Sequence, residues 1–514
     1  KPILSNDMHL PHGIPNIWYE ADLKSGNFHV AGITVPGIPY IVQGHNDHIA
    51  WGFTALYADM QDLYVEQVNA QDEYKAAGNT APEAWHPIER ARETIHVRFG
   101  NDVIVETART AHGPIISQLI PGEKRVLALR WSAYDPKSGG NPLLAMNEAA
   151  NWQEFRAALS KWWGPSQNVV YADDQGHIGY QAVGFIPLRT GGISPVPIAD
   201  DTHEWQGFVP FDQLPSTLDP VNGVLATANS RITPDNYPLQ LTLAWSDPYR
   251  NERIWKWLAG KNKLTPEDML KLQTDVYSSI DQELAQRYAY AIDHAKNPGK
   301  RLQDAADLMR SWDGVVSVES APAAIVNAAN GAFWRMALSA KIGEDWKLYH
   351  WPESGFAREE LITHPKPGWL PSKYATWDDF LAEVVRTGLD DAHAPSDLAK
   401  WHYGQAHTVE LDHPLYAMLP WFKGWTGSGA QPQSGDGTTV KQVGHTFGPS
   451  ERFTIDWNNV DAVRENIVMG ESGDPLSDYY RDQWPYWYGG TTFAWPFSES
   501  AVAAQTTHTL QLAP

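Results

Sequence analysis

An α+β fold follows from two features of the sequence. Short β-branched and aromatic runs broken by Gly, Asn and Asp fill the first two hundred residues, and a helical pattern opens at Asp247 and continues to about Ala340. Helices inserted among sheets are expected to cover the sheets' outer faces. The strand candidates come first: Phe28–Ile33, Tyr40–Val42, Leu63–Val65, Thr94–Val97 and Val103–Val105, spaced as stacked antiparallel sheets. Asn151 caps a helix that puts Phe155, Leu159 and Trp162 on one face. A strand pair follows, Val169–Ala172 and Ile178–Tyr180, joined by the Asp173-Asp-Gln-Gly176 turn. Thr265-Pro-Glu-Asp starts a helix, Ala323 to Ala340 is a long apolar stretch, and Gly424 to Gly448 reads as a long surface loop. The alternation His508-Thr-Leu510-Gln-Leu512 reads as a final strand, with Ala513 and Pro514 as a stop.

The chain has 514 residues and a formal charge of -22, which argues against nucleic acid and anionic membranes as partners. It has no cysteine, so disulfides, thiolate catalysis and zinc–sulfur sites are excluded. The 24 Trp, 37 Pro and 40 Gly describe a globular and aromatic chain, and no apolar run reaches membrane-spanning length. Lys1-Pro-Ile-Leu, with no initiator Met and no signal core, reads as a cut end.

The most informative stretch is GHNDHIAWGFTA, Gly44 to Ala55, with ADMQD, Ala58 to Asp62, close behind. Ile49 to Thr54 is a short apolar strand that delivers a small residue, Ala55, into a loop dense in carboxylates. A small residue lets a backbone N–H approach a ligand closely, and adjacent carboxylates that repel one another suggest a bound cation. Alone, the segment is equally a buried strand and a solvated turn.

Four segments in order, KPILSNDMHL at Lys1 to Leu10, Gly44 to Asp62, NVVYADDQGHIGY at Asn168 to Tyr180, and VLATANSRITPDNY at Val224 to Tyr237, together resemble the penicillin acylase family. Pro187, Arg189, Trp205-Gln-Gly207, Arg250, Gly470-Glu-Ser472-Gly and Tyr480-Arg-Asp482-Gln483 extend the likeness over nearly the whole chain. The resemblance implies a four-layer αββα N-terminal nucleophile hydrolase sandwich, with residues 1–514 as one large β-subunit domain and about 248–400 as a mainly helical insertion. It implies a bacterial, periplasmic or secreted amidohydrolase cut from a precursor and paired with a small α subunit. Its substrate would be a small N-acyl compound. The catalytic Ser would open the large subunit, its α-amine serving as base for its own hydroxyl, on the order of fifteen positions before the segment matching Lys1. No serine in this chain takes that place by position. Gly470-Glu-Ser472-Gly473-Asp474, the nearest approach to a hydrolase elbow, lacks the second glycine at the required spacing.

By motif match, the backbone N–H of Ala55 and the side-chain amide of Asn229 would receive the oxyanion, so the two must share one cleft. Asn229 is otherwise a turn residue. Arg250 would orient Asn229 and the nucleophile's amine; otherwise it makes a surface ion pair with Asp247 or Glu252. His9 would hold the terminal residue by a hydrogen bond, or is a satisfied buried imidazole. Asp59, the carbonyl of Gln61 and Asp62 match a structural calcium site, although Leu241 stands where another carboxylate is expected. No cofactor is implied for catalysis. The pairs His9–His12 and His45–His48 are weak zinc candidates, because extended backbone splays them. Leu10, Gln43 and Val169 fall where the family forms an aromatic acyl box, so an aliphatic acyl chain is as plausible as phenylacetyl. Two readings from other classes remain: a periplasmic glycoside hydrolase using Asp173 and Asp174, and a non-catalytic ligand-binding relative.

Overall fold

Strand pairing gathers the strands around the site into two facing sheets, with the remaining strands in smaller sheets beside them. The computed structural model describes residues 1–76, 85–200, 202–261, 263–349, 354–415 and 420–512. The strands that matter for the site are β1 (Ile3–Asn6), β2 (Tyr19–Ser25), β3 (Phe28–Thr34), β4 (Gln43–Asn46), β5 (Ile49–Ala55), β6 (Gln167–Asp173), β7 (Ile178–Val183), β8 (Ser216–Leu218), β9 (Glu451–Asp456), β10 (Val463–Ile467) and β11 (Phe493–Trp495). Seven of them form an antiparallel sheet in the order β8-β7-β6-β5-β4-β3-β2, and four form a second in the order β1-β9-β10-β11.

Side-chain alternation decides what each sheet face meets. Trp51 and Phe53 of β5 and Val169 and Tyr171 of β6 point outward and pack with Phe155 and Leu159 of helix α2 (Trp152–Leu159), behind α1 (Leu143–Glu148). Ala50 and Ala172 point inward and meet Leu4, Phe453 and Ile455 of the second sheet. The sheets approach closely at Gly52, where a Cβ would lie 2.2 Å from Asn6 Oδ1. Helices α3 (Tyr249–Leu258) and α4 (Pro266–Gln273) lie beyond the second sheet's side of the fold. Gln273 at the end of α4 donates Nε2 to the Asn6 carbonyl at 2.8 Å. The layers are thus helix, sheet, sheet, helix. Helices α5 (Ser279–His294), α6 (Lys300–Arg310), α7 (Ala321–Ile342) and α9 (Trp377–Asp391), with α8 (Gly355–Thr363) beside α5, enclose their own core around Leu284, Tyr288, Ile325, Phe333 and Phe380. The Thr265–Asp268 capping box starts α4 as the sequence predicts.

Several expectations are corrected. Tyr40–Val42 is not a strand: the Asn147 side chain binds both the N–H and the C=O of Ile41, at 2.9 and 2.8 Å, and ladder pairing begins at Gln43. Trp162 lies past the end of α2, its indole bonded to the Pro165 carbonyl. Gly424 to Gly448 is no surface loop. Ser428, Gln433 and Thr439 are buried, and backbone bonds from Gly435 to Val316 and from Lys441 to Asp275 hold the segment against the helical block. His508–Leu512 forms no strand, and Leu510 and Leu512 are exposed; Ala513 and Pro514 lie outside the described residues.

Candidate active site

Strand β5 carries Ala55 to the rim of the large sheet, half-buried. The Leu56 N–H donates to the Ser166 carbonyl at 3.1 Å, so in the Gln167–Ala55 register the peptide groups of Ala55 point away from β6. On that other side β4 pairs only with Ala50 and Trp51, which leaves the Ala55 N–H beyond the ladder.

Asn229 stands directly beside it. Its Nδ2 donates to the Ala55 carbonyl at 2.8 Å, and its Oδ1 accepts from Arg250 Nη2 at 2.7 Å. A guanidinium has no acceptor, so Arg250 fixes which end of the amide faces Ala55. Arg250 is buried and also donates to the Ala228 carbonyl at 3.1 Å. It therefore orients the asparagine instead of merely pairing at the surface with Asp247 or Glu252. Asn229 takes a left-handed backbone with φ 68°, which Asn tolerates better than most residues. With one amide hydrogen on Ala55, its second is left to turn toward a ligand.

Sequence reasoning missed the support beneath this pair. Asn168 Nδ2 donates to the Ala55 carbonyl at 3.2 Å and to the Thr54 hydroxyl at 3.1 Å, while the Tyr180 hydroxyl donates to Asn168 Oδ1 at 2.7 Å. Thr54 and Thr227 hydroxyls meet at 2.8 Å and tie β5 to the Asn229 segment. An asparagine opening the apolar run NVVYA was the available signal.

His9 is half-buried, and its Nε2 is enclosed with no hydrogen-bond partner among the described residues. Desolvation first, then the nearby Arg250, holds its pKa well below the ordinary value, so the imidazole is neutral. Leu10 borders the apolar cluster of Trp18, Ile33 and Ile467. Gln43 lies opposite Ile33 in the ladder and is fully buried, with both amide atoms unpartnered among the described residues. Val169 does not join them. It points to the other face of the large sheet, into the core beneath α2, because residues 51, 53, 169 and 171 share the outward parity.

The oxygens of the Asp59–Asp62 loop are occupied by protein donors and do not fit calcium. Arg189 Nε donates to Asp62 Oδ2 at 2.7 Å and its Nη2 to the Asp59 carbonyl at 2.6 Å. The Trp205 indole shares the same Asp62 oxygen, and the Leu243 N–H donates to Asp59 Oδ2 at 2.9 Å. A guanidinium thus already occupies the Asp62 carboxylate and the Asp59 carbonyl, and the buried Leu241 adds no carboxylate. Gln61 sits in a ladder strand, paired with Trp131. Among the described residues no group of three His, Asp or Glu side chains is arranged to hold a metal.

The other chemistries find no geometry. Asp173 accepts the Tyr171 hydroxyl and the N–H groups of Gln175, Gly176 and His177, which makes it a turn-forming residue instead of an acid or base. The Ser472 hydroxyl accepts the Asp474 N–H within its own turn.

Comparison with known proteins agrees with this layout. The sequence model of the family described as Penicillin amidase matches residues 1–504. Penicillin acylase 2 proenzyme from Pseudomonas sp. (strain SE83) is 28% identical, over 100% of this chain and 67% of that protein. Acyl-homoserine lactone acylase QuiP from Pseudomonas aeruginosa is 25% identical, over 97% of this chain and 65% of that protein. The chain thus spans about two thirds of the length of these relatives. The solved thermostable penicillin G acylase from Alcaligenes faecalis superposes with a TM-score of 0.75 at 21% identity, covering 100% of this chain and 97% of that one, which shows the shared fold. With its family model spanning all but the last ten residues, the chain belongs to the penicillin amidase family.

Proposed function

We propose that the protein is an N-acyl amide hydrolase that works through an acyl-enzyme. The observation that carries this reading is the pair Ala55 and Asn229, in direct contact and held by Arg250, with the second amide hydrogen of Asn229 left over for a ligand. As a nucleophile attacks an amide carbonyl, the oxygen becomes an oxyanion; donors fixed in advance stabilise it without reorganising. The nucleophile is the N-terminal Ser of a longer protein, its α-amine taking the hydroxyl proton through a water and returning it to the leaving amine. Water then hydrolyses the ester. His9, neutral beside Arg250, is suited to hold the amine of that terminal residue without competing for its proton. Catalysis requires no cofactor.

The relatives are named for penicillin and for acyl-homoserine lactones, which supports a small N-acylated amine as the substrate. Leu10 and Ile33 favour an aliphatic acyl group. The unpartnered amide of Gln43 favours one with a hydrogen-bonding substituent, since burying that amide against plain hydrocarbon is costly. A small α subunit from the same precursor completes the enzyme, and the compartment is the periplasm or the exterior.

The test is the full-length gene product. Mass analysis of its large chain should place a Ser at the terminus upstream of Lys1, and acyl-anilides should be hydrolysed while aryl glycosides are not. A terminus without Ser, Thr or Cys, together with no turnover over a range of acyl lengths, would make the protein a non-catalytic relative.

A further inference from the structure

At the far edge of the sandwich, away from Ala55, the last strand of each sheet borders a cavity of about 330 Å³. Its walls carry Glu20 from β2, Glu471, Asp482, Tyr479, and Phe493 and Trp495 from β11. Glu20 and Glu471 are held in place by donors that carry no charge, while Asp22, also on the wall, faces His29 at 3.2 Å. Glu471 Oε1 accepts the Glu20 N–H at 2.6 Å. Gln483 accepts the Ile467 N–H at 2.7 Å, which turns its Nε2 toward Glu20. Gly470 makes room for this arrangement, since a Cβ there would lie 2.5 Å from Asp482 Oδ1.

Behind this wall lies Glu465. It is fully buried, and neither of its carboxylate oxygens has a hydrogen-bond partner among the described residues. Glu465 is the cross-strand partner of Phe493, so its side chain shares the sheet face of that cavity-lining ring. The charges acting on it come from Glu20, Glu451 and Glu471, all of one sign. Burial and repulsion between carboxylates push Glu20 up to about 8 and Glu471 up to about 7, the behaviour of acids that no cationic side chain pairs.

We propose that this cavity binds an organic ammonium cation. A metal ion is the poorer occupant: among the described residues no three acidic or imidazole groups converge on one point. The space is larger than a bare ion needs, and Tyr479, Phe493 and Trp495 offer ring faces that attract an ammonium and pack its carbon atoms.

The test is calorimetric titration of the full-length protein with n-butylammonium chloride and tetramethylammonium chloride, against sodium chloride and calcium chloride at equal ionic strength. Saturable binding of n-butylammonium is expected, weakened at least about tenfold by Glu471→Gln or Glu465→Gln, each nearly isosteric. No saturable binding, tighter binding of calcium, or unchanged affinity in a folded Glu471→Gln protein would overturn the proposal. Should either glutamate variant fail to fold, Trp495→Leu serves, with the same loss expected. Acyl-anilide hydrolysis is measured alongside, so that failure here is read separately from failure of the hydrolase assignment.

Discussion

Replacing Asn229 by Asp separates what this residue does for chemistry from what it does for the fold. The two side chains have the same shape, and Asp also tolerates the left-handed backbone found here. One carboxylate oxygen would keep the contact with Arg250, now as an ion pair, while the other would replace the amide nitrogen that donates to the Ala55 carbonyl at 2.8 Å. Stability should change little, because a stronger Arg250 contact offsets an oxygen–oxygen repulsion at Ala55. Catalysis should collapse. Loss of one oxyanion donor costs about 10²- to 10³-fold in kcat, or about 2.7–4 kcal/mol, and a carboxylate facing a developing oxyanion adds repulsion to that loss. Asn229→Ala should show the donor loss alone, and lose in addition the charge-assisted bond from Arg250, about 1.5–3 kcal/mol of stability. The assay is initial-rate hydrolysis of an acyl-anilide by the mature two-chain enzyme, with the chains co-expressed from separate genes so that self-cleavage is not required, and unfolding followed in urea. A folded Asn229→Asp enzyme with kcat within a few-fold of wild type, or a change confined to KM, would refute the role argued for Asn229.

Expressed by itself, this 514-residue chain should turn over no acyl-anilide; appreciable hydrolysis would place the nucleophile inside it. Chelator treatment should leave the thermal midpoint unchanged, whereas Arg189→Met should cost about 3–5 kcal/mol by leaving Asp62 a buried, unpaired carboxylate, read by urea unfolding. Glu20 and Glu471 hold their protons more tightly when folded, so their contribution to stability falls as pH rises from about 4.5 through about 7 and 8. His12 and His45, lowered to about 4, act in the opposite sense only below 6.5. The midpoint of Glu471→Gln should therefore gain on wild type as pH rises from about 4.5 to about 7 and keep that gain above it, and a gain that begins only above pH 7 would contradict the buried-acid reading.

What the sequence conveyed, and what it withheld, follows from the range of the interactions involved. Local devices were legible: the Asn151 and Thr265 caps, the Asp173 turn and the apolar stretch of α7 are set by neighbours within a few positions. Interactions that cross the fold were not. Tyr40–Val42 has strand composition, yet its backbone is claimed by Asn147 from far along the chain, and the polar Gly424–Gly448 segment is buried by backbone bonds that composition does not record. The site divides the same way. Ala55 and Asn229 were found because family motifs mark both, but the placement of Val169 depended on sheet parity, which a one-residue offset inverts. The Asp59–Asp62 loop shows why motif matching needs geometry beside it. Two carboxylates close in sequence suggest a cation without saying which, and here that charge is the guanidinium of Arg189, which the sequence places well over a hundred residues away. Asp62 therefore keeps its counter-charge whatever the calcium concentration, and the pairing on this side of the sandwich rests on a covalently attached charge that chelation cannot remove.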